Sequence, residues 1–270
     1  GNPRIIFVRP LVGCRRDAMR KPLHILHHRL FSSPSTPYRL FSSPSTLAPR
    51  SILYEDNHLL IISKPANCES QESVPALALS HLRTKYIALL HRLDKPTTGC
   101  LALAKTSKAA RRVSEAFRSG RVSKSYLCWV NGVPSPSSAT LESHLTKVDG
   151  RPRLSADPGH PRASLTYATL WSGGGRSLLS VDLHTGRKHQ IRLQLSRQLS
   201  CPIVGDELYG PSSSSAGPGR RSMFLHAAKL ALPHPVRARG DVAVKAPLPG
   251  HWRVLPRAAV DKAREFLSGD

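Results

Sequence analysis

From Ser51 onward the chain breaks into apolar segments of strand length punctuated by turn residues, and this texture restricts it to folds built largely on hairpins. Segments 52–54 and 59–62 read as a strand pair around 55–58, stopped by Lys64-Pro65. Segment 86–90 leads into a polar loop at 91–99, followed by a short apolar strand at 100–104. A helix is expected next. Thr106 or Ser107 can cap it, Ala109, Val113 and Phe117 recur on one face, and Gly120 is placed to end it. Its other face carries Lys108, Arg111, Arg112 and Arg118. Segment 122–130 alternates, with Tyr126, Cys128 and Val130 on one side and Leu127 and Trp129 on the other, until Asn131-Gly132 turns the chain. Residues 134–163 show little periodicity and read as irregular connections with one strand around Leu141. Segments 165–171 and 178–183 form a hairpin across 172–176, and Ile191, Leu195 and Leu199 mark a helix after His184-Thr185-Gly186. A Ser/Gly/Pro loop at 211–221, an apolar segment at 224–232 and a terminal helix at 260–267 complete the unit. Hairpins mixed with isolated helices indicate an α+β class rather than a doubly wound parallel sheet.

Charge supplies the first functional clue. The 270 residues carry 40 Lys+Arg against 17 Asp+Glu, a formal net charge of +23. So large a cationic excess repels itself in the folded state and is relieved by a polyanion, with nucleic acid the leading candidate. The alternative is that basic composition merely serves solubility or import. The acids are isolated apart from the neighbours Glu55-Asp56 and Asp206-Glu207, which disfavours the converging carboxylates of a two-metal mechanism. The five cysteines are odd in number and scattered, with no CxxC, so neither a disulfide framework nor a zinc ribbon is expected. No run approaches the ~20 apolar residues of a membrane span. Residues 1–50 hold nine Lys+Arg and one acid, Asp17, and the segment RLFSSPST occurs twice, at 29–36 and 39–46. This basic, Ser-rich leader has the composition of a mitochondrial or chloroplast transit peptide. A disordered basic tail on a cytoplasmic or nuclear protein would have the same composition.

Two segments carry candidate chemistry. HRLDKPTTG, at 91–99, sets Asp94 between Arg92 and Lys95 in a loop framed by apolar strands. Flanking cations hold a carboxylate ionised, which suits a nucleophile or electrostatic stabiliser better than a general acid; a surface ion pair is the plainer alternative. HTGRKHQIR, at 184–192, places Arg187 and Lys188 at a helix N-terminus, where the macrodipole disfavours cations unless something anionic offsets them. Such an end can hold an RNA backbone or orient Asp94, or be only a solvated basic turn. His184 and His189 lack the i, i+4 spacing of the helical zinc motif, and no metal is expected.

In order along the chain, HRLDKPTTG with CLALAKT, KSYLCWVNG (124–132), LHTGRKHQIR (183–192), IVGDELYG (203–210) and FLHAAKLALPHP (224–235) resemble the motifs of RluA-type RNA pseudouridine synthases, over about residues 51–253. The resemblance implies a central, mostly antiparallel mixed sheet with flanking helices and a catalytic cleft. A catalytic domain over 51–270 is expected to act as a monomer, with no S4-like RNA-binding domain before it because the leader is too short on apolar residues to fold as one; the resemblance implies action without a cofactor on uridine in ribosomal, transfer or messenger RNA. By position, Asp94 is the nucleophile that breaks the uridine glycosidic bond and Tyr126 stacks on the base, its phenol placed to take part in proton removal from C5. Arg192 pairs with Asp94, Ile191 packs under the base, and Arg92 enters the RNA stack in place of the flipped uridine. Arg187 and Lys188 are expected on phosphates, and Lys64 in a structural or phosphate-contacting role. Two departures from the pattern concern turns: Asn67 stands where the family has glycine, and 198–201 lacks the glycine expected before Pro202. A catalytically idle RNA-binding or ribosome-assembly protein that keeps the fold is the rival reading.

Overall fold

Strands β1 (Ile52–Glu55) and β2 (Leu59–Lys64) form the expected hairpin because Asp56 closes the turn, its carboxylate accepting the amides of His58 and Leu59 at 2.7 Å each. The structure, a computed structural model, describes residues 51–82, 86–211 and 222–269. The leader assigned to 1–50 and nearly all of the loop assigned to 211–221 lie outside the described residues.

After β2 the chain turns at Asn67, which adopts φ 60°, so asparagine fills the left-handed position in place of glycine. Helix α1 (Ser73–Leu82) follows; Pro75 sits in its first turn, where no amide partner is lost. Strand β3 (Ala88–Leu89) is short, and β4 (Thr98–Ala104) is buried along its whole length. Helix α2 (Ser107–Arg118) is capped by Thr106, whose side chain accepts from the Ala109 amide at 3.2 Å, and Gly120 adopts φ 72° just beyond its end. Strand β5 (Ser123–Asn131) shows the expected alternation.

Residues 134–163 contain the strand expected around Leu141, but are otherwise more regular than expected. They form β6 (Ser138–Val148), β7 (Arg151–Ser155) and the start of β8 (Arg162–Gly173), with a tight turn at Asp149-Gly150. The apolar alternation is faint because β6 and β7 lie at the end of the sheet, where Leu145 is the single buried residue of β6. Pro152 is tolerated because β7 is an edge strand. Strand β9 (Arg176–Leu183) and helix α3 (Gln190–Arg197) follow as expected; Ser200, at φ 54°, takes the left-handed exit that lacks glycine. Strands β10 (Leu225–Pro233) and β11 (Asp241–Lys245) and helix α4 (Arg257–Ser268) complete the unit.

The strands join in the order β1-β2-β4-β10-β5-β9-β8-β6-β7, with β11 on β10 and β3 on β4. Among the described strands only β4 and β10 run parallel, so the sheet is mixed and mostly antiparallel, and the class is α+β as expected. Gly99 permits that pairing: at φ +107°, a Cβ there would lie 2.2 Å from the Ala227 carbonyl oxygen. One face of the sheet packs Tyr126, Cys128 and Val130 against Val74 and Ala78 of α1 and Ile191 and Leu195 of α3. The opposite face takes Ala109 and Val113 of α2, and Ala259 and Ala263 of α4 under Trp129. The loop carrying Asp94 emerges on the α1/α3 face.

Candidate active site

The loop between β3 and β4 is held from below before any substrate arrives. Ser70 Oγ donates to the Leu93 carbonyl at 2.8 Å and accepts the Leu93 amide at 3.2 Å. Lys64 Nζ donates to the carbonyls of Pro65, Cys68 and Lys95 at 2.9, 2.8 and 3.0 Å. With 1% of its surface exposed, Lys64 reaches neither cleft nor solvent; burial depresses its pKa to about 8, against the opposing pull of Cys68 and Asp94. Its expected place among RNA-contacting groups is therefore corrected to the structural alternative: it ties the Asp94 loop to the end of β2. At the far end of the loop, Thr98 Oγ1 lies 2.8 Å from His226 Nδ1, while His226 Nε2 lies 3.3 Å from the Ala246 carbonyl. Burial lowers the His226 pKa to about 4, so the ring is neutral, donates through Nε2 and accepts from the threonine. His91, also neutral because burial and then Lys124 depress it to about 3, accepts the Ala102 amide at its Nε2, 3.1 Å away.

The cation that faces Asp94 is not one of its sequence neighbours. Lys95 turns to Glu69 at 3.2 Å, and Arg92 is exposed on the cleft rim. Instead Arg192 Nη1 donates to Asp94 Oδ2 at 3.2 Å, and His189 Nε2 stands 3.8 Å from Oδ1. A loop side chain points where the tertiary fold gives it a partner, so adjacency in sequence was the wrong guide to the source of the charge. The pairing of Arg192 with Asp94 is as expected.

Arg192 projects from the first turn of α3 and is itself clamped. Its Nε and Nη2 each donate to Asp206 at 2.7 Å, a bidentate pair whose carboxylate is wholly buried. Burial works to lower the Arg192 pKa, but the hydrogen bonds and charge of Asp206, with Asp94 adding to them, prevail and raise it. The second oxygen role of Asp206 is local: Oδ1 accepts the amides of Leu208 and Tyr209 at 2.9 and 3.1 Å, which folds Tyr209 over the guanidinium, 5.3 Å from ring centroid to Cζ. The entry to α3 is fixed by buried Gln190, whose Oε1 accepts from Thr185 Oγ1 and the Arg187 amide at 2.7 and 3.0 Å. His189 there adopts φ 56°, a left-handed conformation unusual for a residue with a Cβ, and its Nδ1 lies 3.0 Å from the Tyr209 hydroxyl.

Two adjoining depressions, of about 580 and 670 Å³, share Arg92, Asp94, His189 and Arg192. The second is walled by Tyr126 and Ile191 and rimmed by Arg118, Lys124, Lys147, Arg187 and Lys188. Arg187 is partly engaged, its Nε donating to the Arg162 carbonyl at 3.1 Å, and Lys188 is exposed. Of the residues expected in the site, Asp94, Tyr126, Arg192, Arg92, Ile191, Arg187 and Lys188 thus converge on one cleft. Burial, with Asp94 nearby, pushes the Tyr126 phenol well above its ordinary range, so it stands as a neutral hydroxyl. Asp206, His189, Gln190 and Tyr209 are the members not foreseen. The signal for Asp206 was its scarcity: a buried carboxylate in so cationic a chain has to serve a cation.

A buried arginine thus presents one N–H to an acid in a cleft rimmed by cations, on a mixed, mostly antiparallel sheet. The RNA pseudouridylate synthase family model matches residues 58–197, and the chain belongs to that family. It is 32% identical over 213 residues to an uncharacterised RNA pseudouridine synthase of Zymomonas mobilis, covering 74% of this chain and 94% of that protein. It is 31% identical over 212 residues to ribosomal large subunit pseudouridine synthase C of Rickettsia typhi, covering 74% and 69% respectively. The solved structure of human RNA pseudouridylate synthase domain containing 4 matches with a TM-score of 0.61 at 26% identity, covering 80% of this chain and 93% of that one. The chain is accordingly an isomerase that modifies RNA.

Proposed function

We propose that this chain is an RluA-type pseudouridine synthase in which Asp94 acts on the ribose of a uridine extruded from its RNA. The bond between N1 and C1′ breaks, the base rotates, and C5 bonds to C1′. The C5 proton is removed, and N1 ends protonated. Atoms balance without a cofactor, whether Asp94 attacks C1′ directly or assists glycal formation. The observation that carries this reading is the Asp94–Arg192 pair: one carboxylate oxygen is held at 3.2 Å by a buried guanidinium while the aspartate lines the cleft walled by Tyr126 and Ile191. Tyr126 supplies a flat wall for the base; its phenol, neutral at rest, takes the C5 proton as it passes its own hydrogen to the Asp94 carboxylate, and Arg92 on the rim fills the place the uridine leaves.

Tritium release from RNA labelled at uridine C5 tests this directly, because conversion must expel that hydrogen. Release by the native protein and none by Asp94→Ala is the expected result. Full turnover by Asp94→Asn would end the assignment, and salt-sensitive binding without release by the native protein would favour an idle RNA binder. The name of the Rickettsia relative makes ribosomal RNA the first pool to assay, with transfer RNA next. The basic, Ser-rich composition of residues 1–50 supports import into a mitochondrion or chloroplast. A fluorescent fusion of that segment accumulating in either organelle is expected; a diffuse cytosolic signal would refute import.

A further inference from the structure

Arg118 lines two clefts at once. One is the Asp94 cleft; the other, of about 720 Å³, lies between the outer face of α2 and the turn joining β10 to β11. Five arginines line this second groove, Arg111, Arg112, Arg118, Arg121 and Arg237, against two acids, Glu115 and Asp241. Arg118 is engaged by Glu115 and Arg121 Nε donates to Ser119 Oγ at 3.0 Å. Among the described residues, the guanidinium groups of Arg111 and Arg237 have no hydrogen-bond or ion-pair partner.

A row of cations on a helix is ordinarily a solvated face. Here, however, the cations come from separate segments and converge across a concavity whose walls are fixed. Arg112 Nη1 donates to the Pro235 carbonyl at 2.6 Å, tying α2 to the opposite wall. The turn that carries Arg237 is braced from behind, where Asp56 Oδ2 accepts from Arg239 Nη1 at 2.9 Å and meets His234 Nε2 at 2.8 Å. Convergent, pre-positioned guanidinium groups with unused donors fit phosphate, which they bind through paired N–H groups. Arg111 and Arg118 stand seven positions apart on α2, about 10 Å along its axis at 1.5 Å per residue, enough to span more than one phosphate.

We propose that this groove is a second RNA track, holding the sugar–phosphate backbone of the substrate at nucleotides remote from the uridine in the Asp94 cleft, with Arg118 as the junction. The proposal rests on RNA being the substrate. It means that affinity depends on RNA length, beyond what the Asp94 cleft alone can hold.

The test is fluorescence anisotropy of the full chain with oligouridine probes of about 5 and about 25 nucleotides over a salt series. The native protein is expected to prefer the long probe about tenfold or more. Arg111→Ala/Arg237→Ala should lose most of that preference, bind the short probe unchanged, and flatten the slope of log K against log salt by about 1.4, near 0.7 for each single-strand phosphate contact. Arg253→Ala/Arg257→Ala removes the same charge from exposed arginines that line neither cleft, and should behave as native. Native-like long-probe binding by the first variant, or an equal loss in the second, would overturn the proposal. Tritium release separates the two readings: groove-dependent binding by a native protein that releases no tritium would support the track while refuting the isomerase assignment.

Discussion

Arg192 is shared unequally between two carboxylates, and that division sets the character of Asp94. Asp206 takes Nε and Nη2 in a bidentate pair, leaving Nη1 as the single donor to Asp94. Asp94 is thereby oriented through one oxygen without being immobilised by a second strong bond, which suits a group whose charge must be consumed in the reaction. Because the Asp206 side chain is wholly buried and the Arg192 side chain 5% exposed, removing the acid strands a cation in the interior. Asp206→Ala should therefore cost about 3–5 kcal/mol of unfolding free energy, read by urea denaturation; a loss under about 1 kcal/mol would contradict the role of the pair. Tyr126→Phe tests a different atom. The ring that walls the cleft is kept and the neutral phenol removed, so kcat for tritium release should fall at least tenfold while RNA affinity stays near native. An unchanged kcat would remove the phenol from the proton transfer.

The hairpin of β1 and β2 depends on an ionised acid. Burial works against the charge on Asp56, but the amides of His58 and Leu59, together with His234, outweigh it and lower the pKa from the ordinary 3.8 to about 2. A depressed folded-state pKa contributes stability that is complete above the unfolded value and is lost as pH falls through the folded one. The stability difference between the native protein and Asp56→Asn should thus be constant above about pH 5 and shrink between roughly pH 4 and 2, as thermal unfolding across that range will show. A difference that persists undiminished at pH 2 would assign it to packing instead of charge. The same turn illustrates what sequence can carry. Strand β5 was legible because both its faces are buried against different layers, and α2 because its cap and its apolar face lie within a few residues. Strand β6 was legible only around Leu141 and edge strand β7 not at all, since one buried residue in β6 leaves little pattern to read, and α1 was silent because its apolar residues follow no single face. In the site, the motifs named Asp94, Tyr126 and Arg192, but the clamp of Asp206 and the bracing of the loop by Lys64 and Ser70 arise from contacts between distant segments, on which local spacing is mute.

Over the whole molecule the charge separates binding from chemistry. Residues on the cleft rim, such as Arg92, Lys188 and Arg118, are exposed and will hold phosphates only as strongly as salt allows, whereas no side chain of the Asp94–Arg192–Asp206 chain is more than 16% exposed. Rim contacts release counterions when RNA binds, so affinity should fall as a power of the salt concentration. With about four phosphate contacts on single-stranded RNA, raising salt from 50 to 200 mM should increase KM on the order of tens-fold. The buried chain is screened far less, so kcat measured at saturating RNA should change less than about twofold over the same range. Steady-state tritium release at several salt concentrations decides the matter. A kcat that falls in parallel with the rise in KM would mean that the same cations which bind the backbone also take part in the bond-breaking step, and the division between rim and floor would have to be abandoned.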